Sequence, residues 1–368
     1  MDTKDGGKMH VVMLPWLAFG HVLPFTEFAK RVARQGHRVT FLSTPRNTRR
    51  LIDIPPGLAG LIRVVDVQLP RVEHLPEHAE ATIDLPSDDL RPYLRRAYDA
   101  AFQRELSLLL QEAKPDWVLV DYASYWAPAA AARHGVPCAF LSLFGAAALS
   151  FFGTPEALLG LGRHAKTEPA HFTVVPEYVP FPTTVAFRGY EARGMFKPRM
   201  VPVDSGVSED YRYAKTIQGC RLVGIRSSTE FEPEWLQLLG ELYEKPAPSS
   251  VVYAAFGSEV KLTSTQLQRI ALGLQLVLLP LVFEQGLNAR NLVDKKISME
   301  VARDEQDGSF AADDIAAALR RVMVEGEGEQ FGAKVKELVK VFGDDEVNDT
   351  CVRDFLRHLS EHSKKNQG

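Results

Sequence analysis

The stretch MHVVMLPWLAFGHVLPFTEFAKRVARQGHRVTFLST, Met9 to Thr44, restricts what this chain can fold into more than any other. The apolar run HVVMLPW has the length of a buried strand. A short loop around Phe19, Gly20 and His21 is expected next. Leu23, Phe25, Phe28, Ala29, Val32 and Ala33 then recur at helical spacing, and Gly36 falls where a left-handed residue ends a helix. A second apolar run, RVTFLST, closes the unit. Strand, loop, helix and strand in that order describe a βαβ crossover in a parallel sheet. Open sheets of this kind bind ligands outside the carboxyl ends of their strands. His21 falls there, so it is a candidate functional residue, with capping or packing of the turn as the plain alternative.

The same rhythm continues. A third strand is expected from Ile62 to Pro70, and a helix from about Ser87, with Leu90, Tyr93, Leu94, Ala97, Tyr98, Ala101, Phe102, Leu106 and Leu109 on one face. The run DWVLVDYAS reads as a strand stopping at Asp121, WAPAAAARHGV as a helix ended by Gly135, and PCAFLSLF as another strand. Alternation from Met9 to Phe144 argues for a doubly wound sheet. It puts Asp121 on the same rim as His21, although Asp121 taken alone reads more readily as a cap of the helix that follows. From Gly145 to Gly206 glycines, prolines and aromatics accumulate, suiting either the walls of an apolar pocket or a surface excursion. A helix in SEDYRYAKTIQGC, a strand in RLVGIRSS and a helix in EFEPEWLQLLGELYEK follow.

The proline-bearing KPAPSS, Lys245 to Ser250, is the candidate domain boundary. Beyond it a strand, SVVYAAF, runs into Gly257 and Ser258 and towards a helix capped by Thr263 or Ser264. Such a turn suits a phosphate, through backbone N–H groups and the helix dipole, or simply closes the strand. The helix TQLQRIALGLQ then meets the strand-like LVLLPLVFEQ with no turn between them. Helix-to-strand connections usually take about 2–6 residues. Either the helix frays early or the chain has lost a segment near Gln275.

Composition narrows the classes. With 368 residues there is room for two domains, and 45% hydrophobic with 24% charged residues is ordinary for a soluble globular protein. A net charge of −4 gives no reason to expect a nucleic-acid partner. The three cysteines, Cys138, Cys220 and Cys351, form no CxxC pair and read as reduced thiols of a cytoplasmic protein. The polar start MDTKDGGK does not look like a signal peptide, and no apolar run approaches the roughly 20 residues of a membrane span. No metal-binding cluster is visible. No G-x-G-x-x-G follows the first strand, which counts against a nucleotide-dependent oxidoreductase.

Several of these segments together resemble the plant family-1 UDP-sugar glycosyltransferases, and more narrowly the branch that adds a sugar to an existing flavonoid or terpenoid glycoside. They are FGHVLPF, PDWVLVDYASYWAPAAAARHGVPCAF, VPFPTTVAF, SSTEFEPEWL, SVVYAAFGSEV, LVLLPLVFEQGLNARNL and the tail TCVRDFLRHLSEH. The resemblance implies an α/β chain of GT-B type, two Rossmann-like doubly wound domains facing a cleft. It implies an acceptor domain over residues 1–245, a donor domain over 246–343 and a C-terminal helix over 344–368 that packs back on the first domain. Only the end of the family's donor box survives, Leu276 to Gln285. The tryptophan that stacks on uracil, the histidine and the Asn-Ser pair are missing, so the second domain is expected to be truncated. The chain is roughly a fifth shorter than a full member.

The resemblance also implies roles. His21 is the general base and Asp121 its partner; Gly257, Ser258, Glu284 and Gln285 bind the UDP-sugar; Gly20, Trp126 and Phe144 line the acceptor site. The implied co-substrate is a UDP-sugar, the partner a small-molecule glycoside, with no cofactor, no metal and a monomeric enzyme. The alternative is an inactive truncated relative that keeps acceptor binding only.

Overall fold

The computed structural model describes residues 7–200, 205–225, 227–243, 250–253, 276–342 and 344–364. Seven strands form one parallel sheet: β1 (His10–Leu14), β2 (Arg38–Ser43), β3 (Ile62–Asp66), β4 (Trp117–Val120), β5 (Cys138–Ser142), β6 (Leu222–Ile225) and β7 (Ser250–Tyr253). Their order is β3-β2-β1-β4-β5-β6-β7. The winding reverses between β1 and β4, which makes the crevice above that pair the ligand position for such a sheet. Around it lie α1 (Phe19–Arg34), α2 (Pro45–Leu51), α3 (Arg91–Ala113), α4 (Ala127–Ala132), α5 (Ala146–Phe152), α6 (Pro155–Leu158), α7 (Gly189–Met200), α8 (Glu209–Gly219) and α9 (Pro233–Tyr243).

Side chains alternate along a strand, so each strand feeds two cores. Val12, Leu14, Val118 and Val120 face α3, α4, α5, α8 and α9, while Val11, Met13, Trp117 and Leu119 face α1. Burial on both faces explains why these strands read as continuous apolar runs. The segment after Gly145 joins the first of these cores through α5, Phe172, Val185 and Phe187, all buried.

Two local readings change. The loop expected around Phe19, Gly20 and His21 is the first turn of α1, with Ala18 as N-cap. Pro24 lies inside that helix; having no N–H, it leaves the Gly20 carbonyl without a helical donor. The strand read as the opening of a second sheet is β7, which pairs with β6, Leu222 opposite Ser250 and Ile225 opposite Tyr253. An apolar segment satisfies the backbone groups that β6 would otherwise expose at an edge.

The rest of the chain holds a two-stranded parallel sheet, β8 (Leu276–Leu278) and β9 (Ser298–Glu300), with α10 (Gln285–Asp294) between them and α11 (Ala312–Met323) and α12 (Glu327–Phe342) after them. The final helix, α13 (Asp345–Lys364), returns to the seven-stranded sheet. Trp117 Nε1 donates to the Leu359 carbonyl at 3.1 Å and to Ser363 Oγ at 2.6 Å. Arg31 on α1 reaches Asp345 and Asp349, each at 2.6 Å. Phe355 lies over Gly224, where a Cβ would stand 2.8 Å from the ring, so glycine is what permits this approach.

Candidate active site

β1 and β4 are neighbours, with Leu14 opposite Val120, so the residues that follow each strand emerge side by side. Asp121, directly after β4, is fully buried. Its Oδ2 accepts from the Trp16 N–H at 3.0 Å and from His21 Nδ1 at 2.6 Å, and its Oδ1 accepts from the Tyr122 N–H at 2.7 Å. His21 sits in the first turn of α1 with its side chain 17% exposed. With Nδ1–H given to the carboxylate, Nε2 is left with a free lone pair, the arrangement of a general base. Burial works against charging this imidazole, but the Asp121 carboxylate outweighs it by charge and hydrogen bond. With Glu284 assisting and Arg95 opposing, the group is held above its ordinary 6.5.

An aromatic wall flanks the pair. The Tyr122 and Phe144 rings lie 5.8 and 6.3 Å from the imidazole. Tyr122 stacks on Tyr213 at 4.3 Å, and Phe144 meets the same tyrosine at 5.6 Å. A hydroxyl presented along this wall would meet a base whose other nitrogen is already fixed.

No family model matches the chain. It is 34% identical to UDP-glycosyltransferase 91A1 of Arabidopsis thaliana, over 97% of this chain and 98% of that protein. The chain belongs to the plant UDP-glycosyltransferases. It is 30% identical to UDP-glycosyltransferase 91D2 of Stevia rebaudiana, over 98% of this chain and 97% of that one. It is 29% identical to the soyasaponin III rhamnosyltransferase of Glycine max, over 98% of both. Among solved structures, Glycyrrhiza uralensis UGT73P12 complexed with glycyrrhetinic acid 3-O-monoglucuronide has a TM-score of 0.66 at 16% identity, covering 98% of each chain. A Polygonum tinctorium UDP-glucosyltransferase reaches 0.68 at 14% identity, covering 96% of this chain and 99% of that one. The fold is therefore GT-B, and the protein is a glycosyltransferase that takes its sugar from a UDP-sugar.

Other residues singled out in this glycosyltransferase are placed unevenly. Phe144 is in the aromatic wall. Gly20 is exposed, and a Cβ there would meet nothing within 4 Å. Trp126 is buried, donates from Nε1 to Asp99 at 2.8 Å and lies beside Tyr98. Glu284 is the N-cap residue of α10; burial holds its carboxyl above the usual range, against the pull of His21 and Arg199. Gln285 is exposed and its Oε1 accepts from the Leu281 and Val282 N–H groups at 3.0 and 3.3 Å, closing its own turn. Gly257 and Ser258 lie outside the described residues.

Four residues were missed in the sequence: Tyr122, Tyr213, Arg95 and Glu232. Buried Glu232 accepts from the N–H groups of Ala146 and Ala147, at 3.0 and 3.1 Å, and from Asn291 Nδ2 at 2.8 Å, tying α10 to the start of α5. A signal for it existed, an acid inside the motif SSTEFEPEWL. Among the described residues no group of three or more His, Cys, Asp or Glu could hold a metal ion, and no helix is long and apolar enough to cross a membrane.

Proposed function

We propose that this glycosyltransferase moves a sugar from a UDP-sugar to a hydroxyl of a small-molecule glycoside, with inversion, using His21 as general base and Asp121 as its partner. The observation that carries the reading is the 2.6 Å contact between His21 Nδ1 and Asp121 Oδ2. The acceptor oxygen forms the new bond to the anomeric carbon as the bond to UDP breaks. The acceptor proton passes to His21 Nε2 and the electron pair leaves with the diphosphate. Asp121 fixes the tautomer and stabilises the imidazolium that forms. Phe144 and Tyr122 form an apolar wall for the acceptor, and Glu284 faces the sugar from the N-terminus of α10. A glycoside acceptor is supported by a relative named for soyasaponin III and by a structural neighbour holding a monoglucuronide.

One observation favours a second reading, in which the donor side is too abbreviated for turnover and the protein binds acceptor only. The alignment with the Arabidopsis relative runs over 467 residues, more than the 368 of this chain can fill. Turnover of UDP-sugars, with and without His21→Ala, and calorimetry with UDP separate the two. Under the first reading UDP binds and His21→Ala costs roughly 10²–10⁴-fold in turnover. Turnover surviving His21→Ala sinks the base assignment. Glycoside binding without UDP binding selects the second reading.

A further inference from the structure

The two backbone N–H groups that hold the Asp121 carboxylate belong to Trp16 and Tyr122. The side chains of these same two residues converge on one guanidinium. Arg95, on α3, lies 4.0 Å from the centre of the Trp16 ring, and its Nη2 donates to the Tyr122 hydroxyl at 2.6 Å. The residue is 2% exposed and ion-paired with Glu209 of α8 at 2.5 Å. Trp16 follows β1 and Tyr122 follows β4, so one buried cation clasps the segments leaving both strands of the crevice.

We infer that Arg95 is a positioning residue for the His21–Asp121 pair: by fixing the side chains of Trp16 and Tyr122 it aims the two N–H groups that orient the carboxylate. This rests on the reading of His21 as base. A planar, delocalised fork suits the task, because it stacks on an indole and donates in plane at once, which an ammonium does not do. The plain alternative is a buried ion pair that only fastens α3 to α8. That alternative lowers stability and leaves the imidazole undisturbed.

The test is an NMR titration of His21 in the full chain, its signal identified among the ten histidines by its absence in His21→Gln. The charged groups acting on this imidazole are Asp121, Glu284 and Arg95. Arg95→Lys keeps the charge and loses the fork. Under the proposal its His21 midpoint falls towards 6.5, the low-field Nδ1–H resonance weakens, and turnover drops roughly 10- to 100-fold with acceptor KM little changed. Tyr122→Phe, which removes one of the two grips and adds no charge, shifts the midpoint the same way by less. Unchanged midpoints in both variants, with only the melting temperature lowered, overturn the proposal. The titration reads geometry whether or not His21 is the base, so failure of the base assignment shows separately as turnover in His21→Ala.

Discussion

The seven-stranded sheet and the two-stranded unit of residues 276–342 are held together by different means. In the large sheet both faces are covered, and Val11, Val12, Met13, Leu14 and the whole of β4 have no exposure worth counting. In the small unit α11 turns Met323, 73% exposed, to solvent, followed by Val324 at 76%. Leu281, Val282 and Phe283 are also exposed in the turn before α10. What fastens the small unit to the large sheet is Leu287 of α10, fully buried in the larger core, together with a set of polar contacts. Arg290 Nε donates to the Ala186 carbonyl at 2.6 Å and the same guanidinium pairs with Glu191 and Glu300. Asp294 accepts from Thr183 Oγ1 at 2.7 Å and from the Thr184 N–H at 2.8 Å. Buried area scales into large stabilisation, whereas each hydrogen bond nets about 0.5–1.5 kcal/mol. The His21–Asp121 pair stands on the first kind of support, and Glu284, at the start of α10, on both.

The strongest way to break this contrast is Phe355→Ala. Its ring is fully buried on the large sheet, so the loss is about 3–5 kcal/mol, read as a fall in the denaturation midpoint of the main transition. If only a minor early transition moved, α13 would belong energetically with the small unit. Next, Arg290→Ala costs roughly 1.5–3 kcal/mol in the attachment of the small unit. Limited proteolysis then cuts within 276–342 sooner while the large sheet persists; first cuts in the amino-terminal half contradict the comparison.

A smaller effect depends on pH. His21 has a folded value above 6.5, so the stabilisation it draws from Asp121 is complete below about 6.5 and fades as pH rises through the folded value. The stability deficit of Asp121→Asn is accordingly larger at pH 6 than at pH 9; a deficit independent of pH denies the coupling. Smallest of all, Met323→Glu, at a side chain 73% exposed, changes stability by no more than about 0.5 kcal/mol in denaturant titration. A larger loss means this surface is covered after all.

How much of this was legible depends on what kind of signal each element leaves. β1, α1 and β2 were readable because buried parallel strands are unbroken apolar runs and α1 has a one-sided apolar stripe. The meeting of His21 and Asp121 followed from two strand ends on one rim. The start of α1 was not readable, because Ala18 makes no side-chain cap hydrogen bond and so leaves no polar N-cap mark. The partner of β7 was not readable either, since an apolar strand does not name the edge it joins. Arg95 escaped because periodicity treats an arginine as solvent-facing, yet it lies between Leu94 and Ala97 on the buried side of α3. The stack of Tyr122 on Tyr213 joins positions that no local pattern connects.

The placement of α13 bears on the order in which the molecule can be completed. Ribosomes deliver the amino-terminal strands long before the helix that roofs one side of them. Until Phe355 and Leu359 emerge, the apolar surface around Trp117 and Gly224 has to be shielded by chaperones or left bare. A premature stop upstream of Phe355 would therefore do its damage at the opposite end of the gene product, in the very sheet that was translated first.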